Sequence, residues 1–300
     1  MNILITGSEG CIGKELVAQL RGVHELHLWD KKVGMFDLAI APLSESMRHA
    51  EPEIVFHLAA SFERTKETPE AFDHIWHNDT LASHRLLEAI KTQESVKTVV
   101  FASSYLIYEA QCHKSLCLYP DHVLINLTEY SPVCPRNLCG MSKLYTEREL
   151  EFLCSSTRPD IRFVNARIFR VYGLGSKSII NAWCSAKIAG SPTVVFNEEN
   201  RFDFIHARDV AEGLKRLAFT EQARGIVNLG TGRSRSIKEV YGLIGLEPER
   251  IQDDPEWEAS VADVTKLKGL TGWTPQIQLE DGIKEILEYE QAKSLDNQRV

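Results

Sequence analysis

Short apolar runs broken by amphipathic stretches set the rhythm of the first half of the chain. NILIT, at residues 2–6, is an unbroken apolar run of strand length, and CIGKELVAQL behind it repeats its apolar positions at helical spacing. ELHLWD, EIVFHLAA, KTVVFASS and IRFVNARIF read as further strands. A long helical segment runs from about Pro69 to Lys91. Another helix opens at PRNLCGMSKLYTEREL, Pro135 to Leu150, after a loop over Glu109 to Cys134. Strands that alternate with helices predict a doubly wound parallel sheet covered on both faces. Past Gly173 the pattern loosens into a helix near Ile179–Ala189, a strand PTVVF, the segment RFDFIHARDV, a helix through Leu217, then IVNLG and a helical end. No Gly/Pro/Ser-rich linker divides the halves. The reading is an α/β chain with a sheet domain over residues 1–172 and a smaller lobe over 173–300, interleaved with it.

Composition narrows the class. The 300 residues, 43% hydrophobic and 25% charged, describe an ordinary soluble globular protein. A formal charge of −8 argues against nucleic acid as a partner, because phosphate contacts need a basic surface. The first apolar run is too short for a signal peptide, and no stretch has the length of a membrane span. A cytoplasmic protein with no membrane partner is expected. The seven cysteines, at 11, 112, 117, 134, 139, 154 and 184, form no C-x-x-C pair and read as reduced thiols. His74, His77 and His84 lie on one helical segment without a cysteine or carboxylate motif beside them, so they read as a polar helix face and no metal is expected.

Chemistry enters between the first strand and the first helix. Gly7-Ser-Glu-Gly10-Cys11-Ile12-Gly13 is a tight turn whose backbone N–H groups can approach a pyrophosphate at the positive helix end. Asp30 closes the second strand about twenty residues on, where a carboxylate can accept both hydroxyls of an adenosine ribose. It would repel a 2′-phosphate, which favours NAD over NADP. Lys31 and Lys32 pull the other way, since an ammonium there can pair with a phosphate.

The glycine turn, His57-Leu58-Ala59-Ala60, Phe101-Ala102-Ser103-Ser104 and Gly140-x-Ser142-Lys143 together resemble the extended short-chain dehydrogenase/reductase family, in particular its NAD-dependent epimerase/dehydratase branch. Arg167-Ile-Phe-Arg-Val-Tyr-Gly173, Asp203-Phe-Ile205, Asn228-Leu-Gly-Thr-Gly232 and Gly272-Trp-Thr-Pro275 are similar to later landmarks of that branch, so the likeness spans nearly the whole chain. It implies a Rossmann-type domain, a smaller C-terminal substrate-binding lobe, a nucleotide-activated sugar in the cleft between them, and a homodimer. Gly7, Gly10, Cys11, Ile12, Gly13, Asp30 and Lys31 would hold the dinucleotide. Asp37 and Leu38 would line its adenine, and Leu58, Ala59 and Ala60 would lie along it, with Ser61 toward the substrate. Ser104 matches the catalytic Ser/Thr. Lys143 matches the lysine that bonds the nicotinamide ribose and lowers the pKa of a tyrosine four residues before it.

Cys139 occupies that tyrosine's position. A thiol starts at a pKa of about 8.5, and Lys143 is expected to depress it further, so acidity is no obstacle. Reach is, because cysteine's arm ends short of a phenol's oxygen. Four arrangements stay open: a water relay among Cys139, Ser104 and Lys143; a bulkier substrate that supplies the group; a phenol from Tyr105 on another wall; or binding without turnover. Cys139 also reads as a small apolar filler.

Family 4,6-dehydratases resemble Thr-Asp-Glu where this chain has Ser104-Tyr105-Leu106. Leu106 cannot ionise, which disfavours elimination and leaves epimerisation or oxidation and reduction at one carbon. In the lobe, the family's Arg-Asp-Phe is matched by Phe202-Asp203-Phe204, with Arg201 one place early, and a second family arginine has no match in DDPEWEASVAD. Arg170 stands where asparagine is usual. Arg170 and Arg201 together can rebuild an anion site, or serve as surface and lobe-bridging cations. The expected function is an NAD-dependent enzyme acting on a sugar; the alternative is a redox-silent NAD-binding protein.

Overall fold

The computed structural model describes residues 1–34, 36–61, 67–109, 112–113, 124–252 and 256–297. Part of the loop expected over Glu109 to Cys134, Cys117 included, lies outside them.

In chain order the first half runs β1 (Asn2–Thr6), α1 (Cys11–Leu20), β2 (Glu25–Trp29), α2 (Leu43–Ala50), β3 (Ile54–His57) and α3 (Pro69–Ile75). A π-helical turn over Trp76–Leu81 leads into α4 (Ala82–Lys91) and β4 (Thr98–Ser104). A 3-10 turn at Tyr105–Ile107, short strands β5 (Cys112–His113) and β6 (Ile125–Leu127), α5 (Leu138–Phe152), β7 (Arg162–Ile168) and β8 (Arg170–Tyr172) follow. The second half comprises α6 (Ile179–Ala189), β9 (Val194–Phe196), β10 (Arg201–His206), α7 (Ala207–Phe219), β11 (Gly225–Leu229), β12 (Ser234–Ser236) and α8 (Ile237–Ile244). It ends in β13 (Arg250–Gln252), β14 (Glu256–Trp257), β15 (Ser260–Ala262), α9 (Thr265–Thr271) and α10 (Leu279–Asn297).

Six strands form one sheet in the order β11-β7-β4-β3-β1-β2, every neighbouring pair parallel. The order reverses at β1, which lies between β2 and β3. In open parallel sheets this switch point opens a crevice beyond the carboxyl ends of the strands. Burial on both faces explains the unbroken apolar runs: Ile3, Ile5 and Phe56 pack on one side with α1 and α7, and Leu4, Val55 and Phe101 on the other with α2 and α4. The Rossmann-type fold expected from the sequence is therefore present.

The chain does not leave this sheet domain for good at residue 172. It returns through α7, β11 and α9, whose Leu214, Val227 and Leu267 share the first apolar cluster with β1 and β3. A parallel strand needs a crossover to join its sheet, so β11 is reached only after an excursion through β8 to β10. The smaller lobe has its own core around Trp183, Phe202, Phe204, Val240 and Ile283.

The helix expected from Pro135 begins at Leu138, where Asn137 Oδ1 accepts the Gly140 N–H at 2.8 Å and caps it. Its first turn presses on the 3-10 turn: a Cβ on Gly140 would stand 2.6 Å from the Leu106 carbonyl oxygen. That contact fixes α5 against the end of β4.

Candidate active site

The carboxyl edge of the sheet gathers the residues singled out in the sequence. Gly7 follows β1, Asp30 follows β2, Leu58 follows β3, and Ser104 ends β4. Gly7 has a φ of +72°, and a Cβ there would lie 2.7 Å from the Ala59 nitrogen; one on Gly13 would lie 2.2 Å from the Gly7 carbonyl oxygen. Gly10 is the N-cap of α1 and offers no side chain to cap it, and the first turn holds no acid. The N–H groups at Cys11, Ile12 and Gly13 thus face the open edge at the positive end of a helix.

Asp30 accepts the Glu9 N–H on Oδ2 and the Lys32 N–H on Oδ1, each at 2.9 Å. A carboxylate has capacity for further donors. Lys31 is turned to Asp37, Nζ to Oδ2 3.0 Å, and to Asn78. Burial raises the Asp37 pKa, but the Ala39 N–H and Lys31 outweigh it and hold its carboxyl below the usual range. Leu38 is buried in the cluster of Trp29, Leu43 and Met47. Ala59 donates its N–H to Thr6 Oγ1, Ala60 is exposed, and Ser61 donates its N–H to Asp79 Oδ1 at 2.7 Å.

Lys143 and Cys139 are one turn apart on α5. Lys143 is buried, donates from Nζ to the Ala102 carbonyl at 2.7 Å, and lies 4.7 Å from the Phe101 ring centroid. Burial pushes its pKa down, against the pull of the Asp79 charge. The Cys139 thiol departs from expectation. Lys143 does favour the thiolate, but desolvation dominates and raises the pKa, so the group stays a neutral thiol. Ser104 is half-buried, and its Oγ accepts the Leu106 N–H at 3.2 Å.

Tyr105 sits apart from this group. Its ring stacks on Phe169 at 5.0 Å, with Arg136 4.8 Å and Arg170 5.9 Å from its centroid. Its hydroxyl is buried without a partner, and burial raises its pKa. The phenol offered as a substitute for the missing tyrosine is packed against Arg136 and Arg170, two residues that line a cavity.

That cavity, about 280 Å³, is lined by Leu106, Arg136 and Asn137 from the first half and by Arg170, Phe202 and Glu258 from the lobe. Arg136 Nη1 donates to Glu258 Oε2 at 2.5 Å, with both side chains buried, and Arg170 Nη2 stands 3.6 Å from the same oxygen. Arg170 Cζ lies over the Phe202 ring, 3.6 Å from its centroid. One carboxylate does not satisfy two guanidinium forks: Arg136 Nε and Nη2 and Arg170 Nε are buried without partners. Two guanidinium groups and one carboxylate thus share the wall of this cavity.

Arg201, expected to share that task, does not. It donates to the Ser234 carbonyl and to Glu239 Oε2, each at 3.2 Å. Successive strand residues point to opposite faces, so if Phe202 lines the cavity, Arg201 faces away. Sequence reasoning missed Arg136, Glu258 and Asp79. His77 bonds the Asp73 carbonyl and His84 pairs with Glu149; among the described residues no group of three potential ligands is assembled for a metal.

A family model for the NAD dependent epimerase/dehydratase family matches residues 3–230. The chain belongs to that family. This epimerase/dehydratase-family enzyme is 26% identical to the UDP-glucose 4-epimerase of Mycolicibacterium smegmatis, over 98% of this chain and 100% of the relative. It is 25% identical to a putative UDP-glucose 4-epimerase of Methanocaldococcus jannaschii, over 96% and 97%. Among solved structures, MoeE5 in complex with UDP-glucuronic acid and NAD superposes with a TM-score of 0.84 at 25% identity, covering 98% of this chain and all of that one. The UDP-glucose 4-epimerase of Thermus thermophilus, in complex with NAD, gives 0.82 at 24%, covering 97% and 99%. NAD is the cofactor of this family enzyme. Its own residues suit that group: an uncapped helix N-terminus, glycines with no room for a side chain, and Asp30 beside them. No helix of the described residues is long and apolar enough to cross a membrane.

Proposed function

We propose that the enzyme reversibly oxidises one hydroxyl-bearing carbon of an anionic, nucleotide-activated sugar, and so epimerises that carbon or interconverts its alcohol and ketone. NAD supplies the acceptance and return of hydride. Gly7, Gly10, Gly13 and Asp30 hold the dinucleotide, Ser104 orients the reacting hydroxyl, and Lys143 organises the ribose side of the site. The observation that carries the reading is the cavity wall at Leu106, two residues after Ser104. Leu106 lines the cavity beside Arg136 and Arg170, so a sugar seated there meets cations, the arginine-paired Glu258 and an alkyl group, but no acid from the 3-10 turn. Elimination across the ring needs such an acid; hydride transfer at one carbon does not. Relatives named as UDP-glucose 4-epimerases, and a similar structure holding UDP-glucuronic acid, support the substrate class.

The test incubates the protein with NAD and UDP-glucose or UDP-glucuronic acid and follows the sugar by proton NMR. Inversion or oxidation at one ring carbon is expected, with Ser104→Ala and Lys143→Ala each lowering turnover at least ~100-fold, the low end for positioned acid–base groups. A 4-keto-6-deoxy product overturns the choice of reaction. Full activity in both variants overturns the reading itself.

We infer also that two copies associate through α3 and α5. Met141, Tyr145 and Phe152 fall on one face of α5 and are exposed, as are Phe72 and Trp76 one turn apart at α3, an apolar patch of the kind that marks an interface.

A further inference from the structure

Asp79 stands on the π-helical turn between α3 and α4, 3% exposed. Such turns inside helices recur at functional sites. Its Oδ1 accepts the Ser61 N–H, while Oδ2 is buried with no partner. The charged and titratable groups that face it are Lys143 and Cys139 from α5 and His74 from α3. Glu147, also on α5, acts on Lys143. Lys143 feels the Asp79 charge and donates one hydrogen bond to the Ala102 carbonyl. A buried charged oxygen without a donor costs more than a neutral amide in its place, and asparagine would keep the Ser61 bond. The carboxylate is therefore poorly explained by packing, and it lies beside the lysine and the cysteine where the family places a lysine and a phenol.

We propose that Asp79 is the proton acceptor that replaces the missing phenol, reached from the substrate hydroxyl through a water relay past the Cys139 thiol. This rests on the reaction proposed above. As the carbon is oxidised, the hydroxyl O–H bond breaks and its proton ends on Asp79 Oδ2, giving a carboxylic acid. The C–H bond breaks with its electron pair leaving as hydride to NAD. Return of the hydride and of the same proton restores the alcohol on either face. Lys143 holds the carboxylate ionised until the proton arrives. Burial raises the Asp79 pKa above the ordinary carboxylate range, which makes it a better acceptor near neutrality than an exposed aspartate.

Asp79→Asn keeps the shape and removes the proton site. Turnover of UDP-glucose or UDP-glucuronic acid should fall at least ~100-fold while NAD binding by calorimetry is retained. Adding Cys139→Tyr to that variant should restore a substantial part of the lost rate, because the phenol supplies the acceptor. A second readout needs no turnover. The native Asp79 binds its proton more tightly than the unfolded one, so wild-type stability should fall as pH rises from the ordinary carboxylate range through the raised native pKa. Asp79→Asn should lack that fall and melt higher than wild type at neutral pH. Wild-type turnover with an unchanged pH profile in Asp79→Asn overturns the inference, as does loss of NAD binding. If Ser104→Ala is inactive while Asp79→Asn is fully active, the inference fails and the reaction stands; if Ser104→Ala and Lys143→Ala are both fully active, the reaction fails.

Discussion

Cys139 illustrates how far one residue's environment can depart from its sequence context. The lysine one turn away suggests an activated thiolate, and four residues of helix do bring the two side chains to one face. Desolvation nevertheless outweighs Lys143 and leaves the thiol neutral. Cys139→Ser should therefore keep activity within about tenfold of wild type, below the loss expected when an acid–base group is removed. A steady-state assay of the purified variant decides this; a loss of several hundredfold would return the sulfur to the mechanism. Residue-level legibility followed sequence proximity. The positions of Ser104 and Asp30 at the sheet's carboxyl edge were readable because each sits at or just after the end of an apolar strand. Asp79 was not, since a carboxylate in a polar-looking helix declares its burial only once α5 is packed over it.

At the scale of elements, the two arginines of the lobe separate through strand geometry. Phe202 and Arg201 are neighbours in β10, and the alternation that turns one into the cavity turns the other to β12 and α8. Arg170, at the start of β8, is held over the Phe202 ring and keeps an unpartnered Nε. Arg170→Ala should raise KM for an anionic sugar nucleotide roughly 10- to 100-fold, as for the loss of a charge-assisted hydrogen bond, with kcat little changed. Arg201→Ala should leave KM near the wild-type value. Equal effects from both, measured with UDP-glucuronic acid, would remove the cavity from substrate binding. The pairing of Arg136 with Glu258 was out of reach of sequence reading for a related reason: the partners are 122 residues apart, and a buried acid in DDPEWEASVAD looks like any other surface charge.

At the scale of the molecule, the alternation of strands and helices revealed the parallel sheet, but chain order did not reveal the layering. The core around β1 is completed by α7, β11 and α9, so the chain passes between the sheet domain and the smaller lobe more than once before its last helix, α10, packs in the lobe. That arrangement ties the cavity walls of the lobe to the carboxyl edge of the sheet. It also leaves the outer face of α5 uncovered within one chain, although the inner face of the same helix carries Gly140, Ser142, Lys143, Thr146, Glu147 and Leu150 into the core. An interface on Met141, Tyr145 and Phe152 would therefore brace the helix that holds Lys143. In solution, light scattering should give twice the 33.9 kDa chain mass, and Tyr145→Glu with Phe152→Glu should give monomers. Because the brace acts on the helix and not on the chemistry, the double variant should also melt lower and lose activity in parallel with dimer dissociation, recovering at high protein concentration where residual association persists. A wild-type protein that sediments as a monomer at all concentrations, with the same activity per chain, would remove the interface and leave the active-site assignments untouched.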